Sequence, residues 1–306
     1  ELVVDTSAMK GKTIGISLKH RGAILPAGHT ANAAYWWDYE HNGSGNWISS
    51  SFYMNDLPQW VKNFNESSIA KSYFKPWNTL YNIDSYSESG RDLNKFEGGF
   101  KGKDMPTFPY DLEALKDQNE NFKIIAESPY GNSLLTDFAL AAIEGEQLGQ
   151  DNFTDVLTLS YSSTDKVGHN FGVNAVETQD TYLRLDLELK RLLEALDEKV
   201  GEEQYTVFLT SDHGAPYAPG YLKSKKIMNN NEISAAFANI ELPVLWGDMD
   251  AANHVNNTVY LRWVESVRIT MLEKMNNGNT EMETIFPILA YQDCKYFLPV
   301  TFPDTV

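Results

Sequence analysis

DVLTLSYSSTDKVGHNFG, residues 155–172, sets a strand, a turn and an Asp–His pair end to end. Asp155–Tyr161 is a compact apolar run with Thr and Ser interleaved, which reads as a strand. Asp165 and His169 follow it as a D-x-x-x-H pair. YTVFLTSDHGA, residues 205–215, has the same plan: a buried-type strand over Tyr205–Thr210, then Asp212 and His213. Between them Thr178–Lys199 reads as an amphipathic helix. Its apolar stripe is Tyr182, Leu185, Leu189, Leu192, Leu193 and Leu196, and Gly201 closes it. Strand, helix, strand in this order predicts a βαβ unit, a parallel sheet and an α/β fold.

Lys12–Leu18 reads as a further strand, running into a turn-rich segment from Lys19 to His29. From Trp36 to about Pro109 the chain is rich in aromatics, Asn, Ser and Gly, which predicts a loop-rich elaboration with short helices such as Asp56–Asn63. The Trp residues there are expected to pack rather than bind. Phe122–Ala126 reads as a strand and Asn132–Gln147 as a helix, with Leu134, Leu135, Phe138, Ala141 and Ala142 on one face. The character changes after Asn229. Ile240–Leu245 reads as a strand, Tyr260–Met275 as an amphipathic helix and Leu289–Phe297 as a strand. A domain boundary is expected near residue 239.

The chain has 306 residues, with 42 acidic against 25 basic and a net charge of −17. This excludes a nucleic-acid groove and docking on anionic lipid, both of which reward clustered Lys and Arg. No apolar run reaches the roughly 20 residues of a membrane span. Cys294 is the single cysteine, so neither an internal disulfide nor a multi-cysteine metal site is expected. It reads as a core residue on the last strand.

Both Asp–His pairs stand just past strand ends, where ligands collect in open parallel sheets. Carboxylate oxygen and imidazole nitrogen are natural zinc ligands where no thiolate is used. Two such pairs could hold two metal ions for phosphoryl transfer. STDKVGHNFG followed by FLTSDHGA resembles the alkaline phosphatase superfamily, in its phosphate-irrepressible alkaline phosphatase and nucleotide pyrophosphatase/phosphodiesterase branch. ISLKHRGAILPAGH (16–29), PTFPY (106–110) and SPYGN (128–132) resemble it too, so the likeness covers about residues 1–230. It implies a zinc on Asp165 and His169, a second on Asp212 and His213, and phosphate contacts from Lys19 and Arg21. A point charge and a bidentate fork suit that task. His29 reads as structural, and His20 and His41 as surface or loop residues. The resemblance also implies a Thr or Ser nucleophile preceded by an Asp ligand before Ile16, and a further His ligand near the C-terminus. Asp5 and Thr6 lack that pattern and His254 sits in a different motif, so the nucleophile and two metal ligands are expected to be absent.

That other motif is WGDMDAANHVNNTVYLRWVE, residues 246–265. A carboxylate near a helix N-terminus can pair with backbone amides that polarise a carbonyl; plain capping by Asp and Asn is the simpler role. LPVLWGDMDAANHVNNTVYLRWVESVR resembles hotdog-fold acyl-CoA thioesterases of the 4-hydroxybenzoyl-CoA type. This implies Asp250 as the catalytic carboxylate, and His254, Asn256 and Asn257 as the thioester region. The expected architecture is therefore a partial alkaline-phosphatase-like parallel sheet sandwiched by helices over residues 1–239, then a partial α+β hotdog unit over 240–306. The expected function is zinc-dependent phosphate monoester hydrolysis. A thioesterase carried by the C-terminal part, and an inactive chimera of two truncated genes, are the other two readings. Expected partners are small phosphate esters, acyl-CoA for the second part, and further copies of the chain through the hotdog unit. The phosphatase part implies a periplasmic or secreted setting, the thioesterase part the cytoplasm.

Overall fold

The structure is a computed structural model that describes residues 9–40 and 43–225, with Val244, Leu245, Asp248, Met249, Val255, Val259, Arg262, Trp263 and Ser266. The chain divides into two compact units, Glu1–Ala218 and Pro219–Val306.

In the first unit the main elements are, in order, β1 (Thr13–Ser17), α1 (His20–Ala27), β2 (Ala33–Asp38), β3 (Asn46–Ile48), α2 (Gln59–Glu66), β4 (Pro76–Trp77), β5 (Tyr110–Asp111), α3 (Lys123–Ala126), α4 (Tyr130–Gly145), β6 (Val156–Ser160), α5 (Ser163–Phe171) and α6 (Val176–Lys199), with further short helical turns at Ile69–Ser72, Ile83–Ser85, Leu112–Leu115 and Lys116–Asn119. The main sheet has the order β3-β2-β1-β6. β1 is parallel to both β2 and β6, and β3 is antiparallel to β2. β4 and β5 form a separate antiparallel pair. This is an α/β fold with a mixed, mainly parallel sheet.

Strand alternation sorts the two faces of the sheet. Ile14, Ile16, Ala33, Tyr35 and Trp37 enter the large core with Leu134, Leu135 and Phe138 of α4. Phe138 lies at its centre, stacked on Trp47 at 4.0 Å, with Tyr35, Trp60 and Phe64 packed around it. On the other face Ala34 packs with Ala23 and Ala27 of α1. Small residues are needed there, because a Cβ on Gly15 would stand 2.2 Å from the Ala23 carbonyl oxygen. Trp37, Trp47 and Trp77 are buried, in keeping with a packing role.

Four sequence expectations are corrected. The segment after Lys19 is helical over His20–Ala27, with Pro26 inside its last turn. Phe122–Ala126 is not a strand but one helical turn, with Ile124 and Ile125 both buried. A short apolar run fits either state, and the Ile125 N–H bonds back to the Phe122 carbonyl at 3.1 Å. Tyr205–Thr210 forms no strand: Phe208 is 91% exposed and Leu209 76%. Apolar β-propensity does not make a strand without a ladder partner, and none is present among the described residues. The stripe on α6 is only partly covered, since Tyr182 and Leu193 are exposed while Leu192 is buried. The helix instead buries polar residues in its first turns, Glu177, Thr178, Asp180 and Thr181.

In the second unit Pro219–Ser224 is a short helix, α7. Val244, Val255, Val259 and Trp263 form a buried cluster with Met249 packed on it. Asp248 is buried and ion-paired with Arg262, so it is a structural group. The residues of the expected hotdog unit otherwise lie largely outside the described residues, including Cys294 and nearly all of the strands and helix read there.

Candidate functional site

β1 and β6 are paired parallel in register, Ser17 opposite Ser160, so the segments leaving them emerge side by side. Lys19 leaves β1 as the N-cap residue of α1. Asp165 leaves β6 in the first turn of α5, and His169 follows one turn later on the same face. Lys19 Nζ lies 2.5 Å from Asp165 Oδ2, and His169 Nε2 lies 3.2 Å from Asp165 Oδ1. His213 Nε2 approaches from the segment after α6, 3.8 Å from Asp165 Oδ1 and 3.6 Å from Asp212 Oδ2. Lys19, His169 and His213 therefore converge on Asp165, and among the described residues Asp212 joins them only through the neighbouring His213. Arg21 is exposed on the first turn of α1, and among the described residues no contact joins it to this group. His29 is also exposed, 6.2 Å from the Phe52 ring. Asp250, His254, Asn256 and Asn257 lie outside the described residues, which offer no support for the thioesterase reading.

Beneath Lys19 is a hydroxyl cluster that no local sequence signal marks. Ser17 Oγ stands 3.1 Å from Ser162 Oγ, which is 3.2 Å from Ser160 Oγ, and the Lys19 N–H donates to Ser17 Oγ at 3.1 Å. Gly22 lets α1 close over it, since a Cβ there would meet Ser17 Oγ at 2.5 Å. Ser163, fully buried, donates to the Ala126 carbonyl and ties α5 to α3.

The charges are mutually supporting. Partial burial opposes ionisation of Asp165, but the Lys19 hydrogen bond and charge, with His169 and His213, outweigh it and hold the carboxyl below its usual range. His213 is pushed up by the Gly214 carbonyl, which its Nδ1 meets at 2.9 Å, and by Asp212. The donors are of the kind zinc takes, carboxylate oxygen and imidazole nitrogen, so the chemistry of the set fits that ion. Their present spacing is that of ion pairs, and among the described residues no group of three or more His, Cys, Asp or Glu is placed to hold a metal. A cavity of about 470 Å³ opens beside the group, bounded by Lys19, Asp165 and His169 on one side. Lys101, Lys123 and Lys166 also line it, and nothing in the sequence brought these lysines together.

Residues 6–282 match the family model described as type I phosphodiesterase / nucleotide pyrophosphatase. A protein of Myroides odoratus named calcium-transporting ATPase is 49% identical over 220 residues, 71% of this chain and 39% of that protein. Alkaline phosphatase PhoV of Synechococcus elongatus is 48% identical over 217 residues, again 71% of this chain and 38% of its own length. The chain thus spans about two fifths of these relatives. The crystal structure of alkaline phosphatase PafA superposes with a TM-score of 0.70 at 35% identity, covering 90% of this chain and 54% of that one. A variant of PafA, substituted at a threonine, an asparagine, and a lysine and arginine two positions apart, superposes with a TM-score of 0.71.

Proposed function

The chain belongs to the type I phosphodiesterase / nucleotide pyrophosphatase family, and from that membership we propose that it carries part of a zinc-dependent phosphate monoester hydrolase site. The observation that carries this is the meeting of Lys19, His169 and His213 on Asp165 at the carboxyl ends of β1 and β6. Asp165 with His169 would hold one zinc ion and Asp212 with His213 a second, and bound zinc would supply positive charge for a phosphoryl oxygen. Lys19 would then exchange the Asp165 carboxylate for the phosphate, and Arg21, exposed beside it, would add a bidentate contact. The spacing of these two supports the assignment, since the PafA variant is substituted at a lysine and an arginine two apart. The hydroxyls of Ser17, Ser160 and Ser162 fix the Lys19 turn, and so position its ammonium group. We place the activity in the periplasm or outside the cell, the setting the phosphatase resemblance implies. No helix among the described residues is long and apolar enough to cross a membrane.

Zinc titration by calorimetry tests the assignment. Asp165→Asn and Asp212→Asn are each expected to weaken zinc binding by roughly tenfold or more, because each removes an anionic ligand from a site that has few. Hydrolysis of a phosphate monoester should require zinc and fall in the same variants. Zinc affinity unchanged in both variants would remove the metal from these residues and the reading with it.

A further inference from the structure

The cavity beside Asp165 differs in character from a pocket that takes a flat ring. Its described lining consists of charged residues, two asparagines, His169 and a glycine, with no Phe, Tyr, Trp or aliphatic side chain. Sites that bury a nucleobase or an aryl alcohol are walled by apolar and aromatic groups. Here a ligand meets lysine ammoniums, amides and carboxylates in alternation, the set that hydroxyl groups can both donate to and accept from.

The walls are tied in place. The Gly98 and Gly99 N–H groups donate to Asn170 O at 2.8 Å and Asn170 Oδ1 at 3.2 Å, which joins this loop to the site helix α5. Gly98 has no substitute, since a Cβ would stand 2.3 Å from the Asn170 carbonyl oxygen. Asn119, buried, accepts from the Lys101 N–H at 2.9 Å and donates to the Lys101 carbonyl at 2.8 Å, fixing the backbone that bears this lysine.

The four lysines differ in what holds them. Lys19 is paired with Asp165, Lys123 with Glu120 at 2.8 Å, and Lys166 with Glu40 at 3.5 Å. Among the described residues Lys101 alone of the four has no ion pair. Four lysines against Asp165, Glu120 and Glu127 give this lining a small excess of positive charge in a chain of net charge −17.

We propose that this cavity receives the alcohol portion of the phosphate ester, and selects a polyhydroxylated alcohol bearing a second phosphate, as in a sugar bisphosphate, over a nucleoside or an aryl alcohol. The proposal rests on the reading of Lys19 and Asp165 as the place of the first phosphate. Lys101 contacts the second phosphate, and Asn170 faces the hydroxyls between.

Calorimetry on the full chain at fixed ionic strength tests this with three probes: inorganic phosphate, adenosine monophosphate and glucose 1,6-bisphosphate. The bisphosphate is expected to bind roughly tenfold tighter than phosphate, and the nucleotide no tighter than phosphate. Lys101→Ala should cut the bisphosphate advantage to about threefold or less. Lys190→Ala, which removes an exposed lysine of α6 paired with Glu194, should keep it. A bisphosphate no tighter than phosphate, a nucleotide as tight as the bisphosphate, or an advantage that survives Lys101→Ala overturns this proposal alone. Loss of all three, inorganic phosphate included, overturns the phosphate site itself and this proposal with it.

Discussion

Asp180→Ala is expected to destabilise the first unit by about 3–5 kcal/mol, the range for stripping the partner from buried charged and polar groups. Asp180 is fully buried on α6. Its Oδ2 accepts from Trp77 Nε1 at 2.7 Å and Arg184 Nε at 2.6 Å, and its Oδ1 from the Leu80 N–H at 2.7 Å and the Tyr86 hydroxyl at 2.5 Å. Alanine opens a void before all four donors, of which the Leu80 N–H keeps a second acceptor in the Tyr86 hydroxyl at 3.0 Å. Trp77 is fully buried and has no route to water, so its indole N–H keeps the whole penalty. Arg184 is anchored a second time through the Asn78 carbonyl at 2.6 Å, so it cannot swing away freely. Asp180→Asn should also destabilise, because an amide must aim two of its own donors at a cluster made of donors. The check is urea unfolding: a lower midpoint at unchanged slope reports lost stability rather than an altered unfolded state. A change under about 0.5 kcal/mol in both variants would mean that the carboxylate does not anchor residues 77–86 to α6.

This anchor was not legible in the sequence, and the reason is instructive. The α6 segment reads as an amphipathic helix through its leucines, and the helix exists over the expected span. Periodicity assigns Tyr182 and Leu193 to the buried stripe, yet both are exposed, while Glu177 and Asp180 are buried outright. A hydrophobic pattern sees no energy in a buried acid, because that energy comes from donors about a hundred positions away in the chain. By contrast, β1, β6 and α4 were readable, since each carries its own apolar signal and packs the residues that signal names. Tyr205–Thr210 carries an equally strong signal and still forms no strand, because pairing depends on a neighbour and the run itself specifies none.

The candidate site divides along the same line. Asp165, His169, Asp212 and His213 were readable because each pair sits just past an apolar run, and the fold brings the two pairs together through Asp165. Lys19 was readable by resemblance, and the β1–β6 register explains why it lands on Asp165. The serine cluster and Lys101, Lys123 and Lys166 were not, since they come from separate elements and share no spacing.

Raising the pH from about 5 to 9 is expected to weaken the first unit, and Glu97→Gln with Glu177→Gln to remove much of that loss. Glu177 is fully buried; its Oε1 accepts from the Tyr110 hydroxyl, and its Oε2 has no partner among the described residues. Both oxygens of Glu97 are shielded from solvent. Burial pushes the Glu97 carboxyl up to about 8, aided by the Glu177 charge, with Asn94 opposing in part. Burial likewise pushes Glu177 up to about 7, against the Tyr110 hydrogen bond. The groups facing this pair make its ionisation harder. Asp92 raises both carboxyls and Asp180 raises Glu177, while Lys103, 5.2 Å over the Tyr110 ring, acts on Asp92. A carboxyl whose folded pKa exceeds its unfolded value binds its proton more tightly when folded. The stability it contributes is whole below about 4.5 and is lost as pH rises through about 7 and then about 8. The combined loss is on the order of 2 kcal/mol, after discounting Glu97 for its partial exposure. Asp165, held low, acts oppositely but in the acid range, outside this window. Urea unfolding at pH 5, 7 and 9 separates the cases: the wild-type midpoint should fall with pH, and the double variant should stay nearly flat and exceed it at pH 9. A wild-type midpoint that rises or holds across this range would mean that the two acids are already ionised in the folded chain, with their buried oxygens neutralised by something other than a proton.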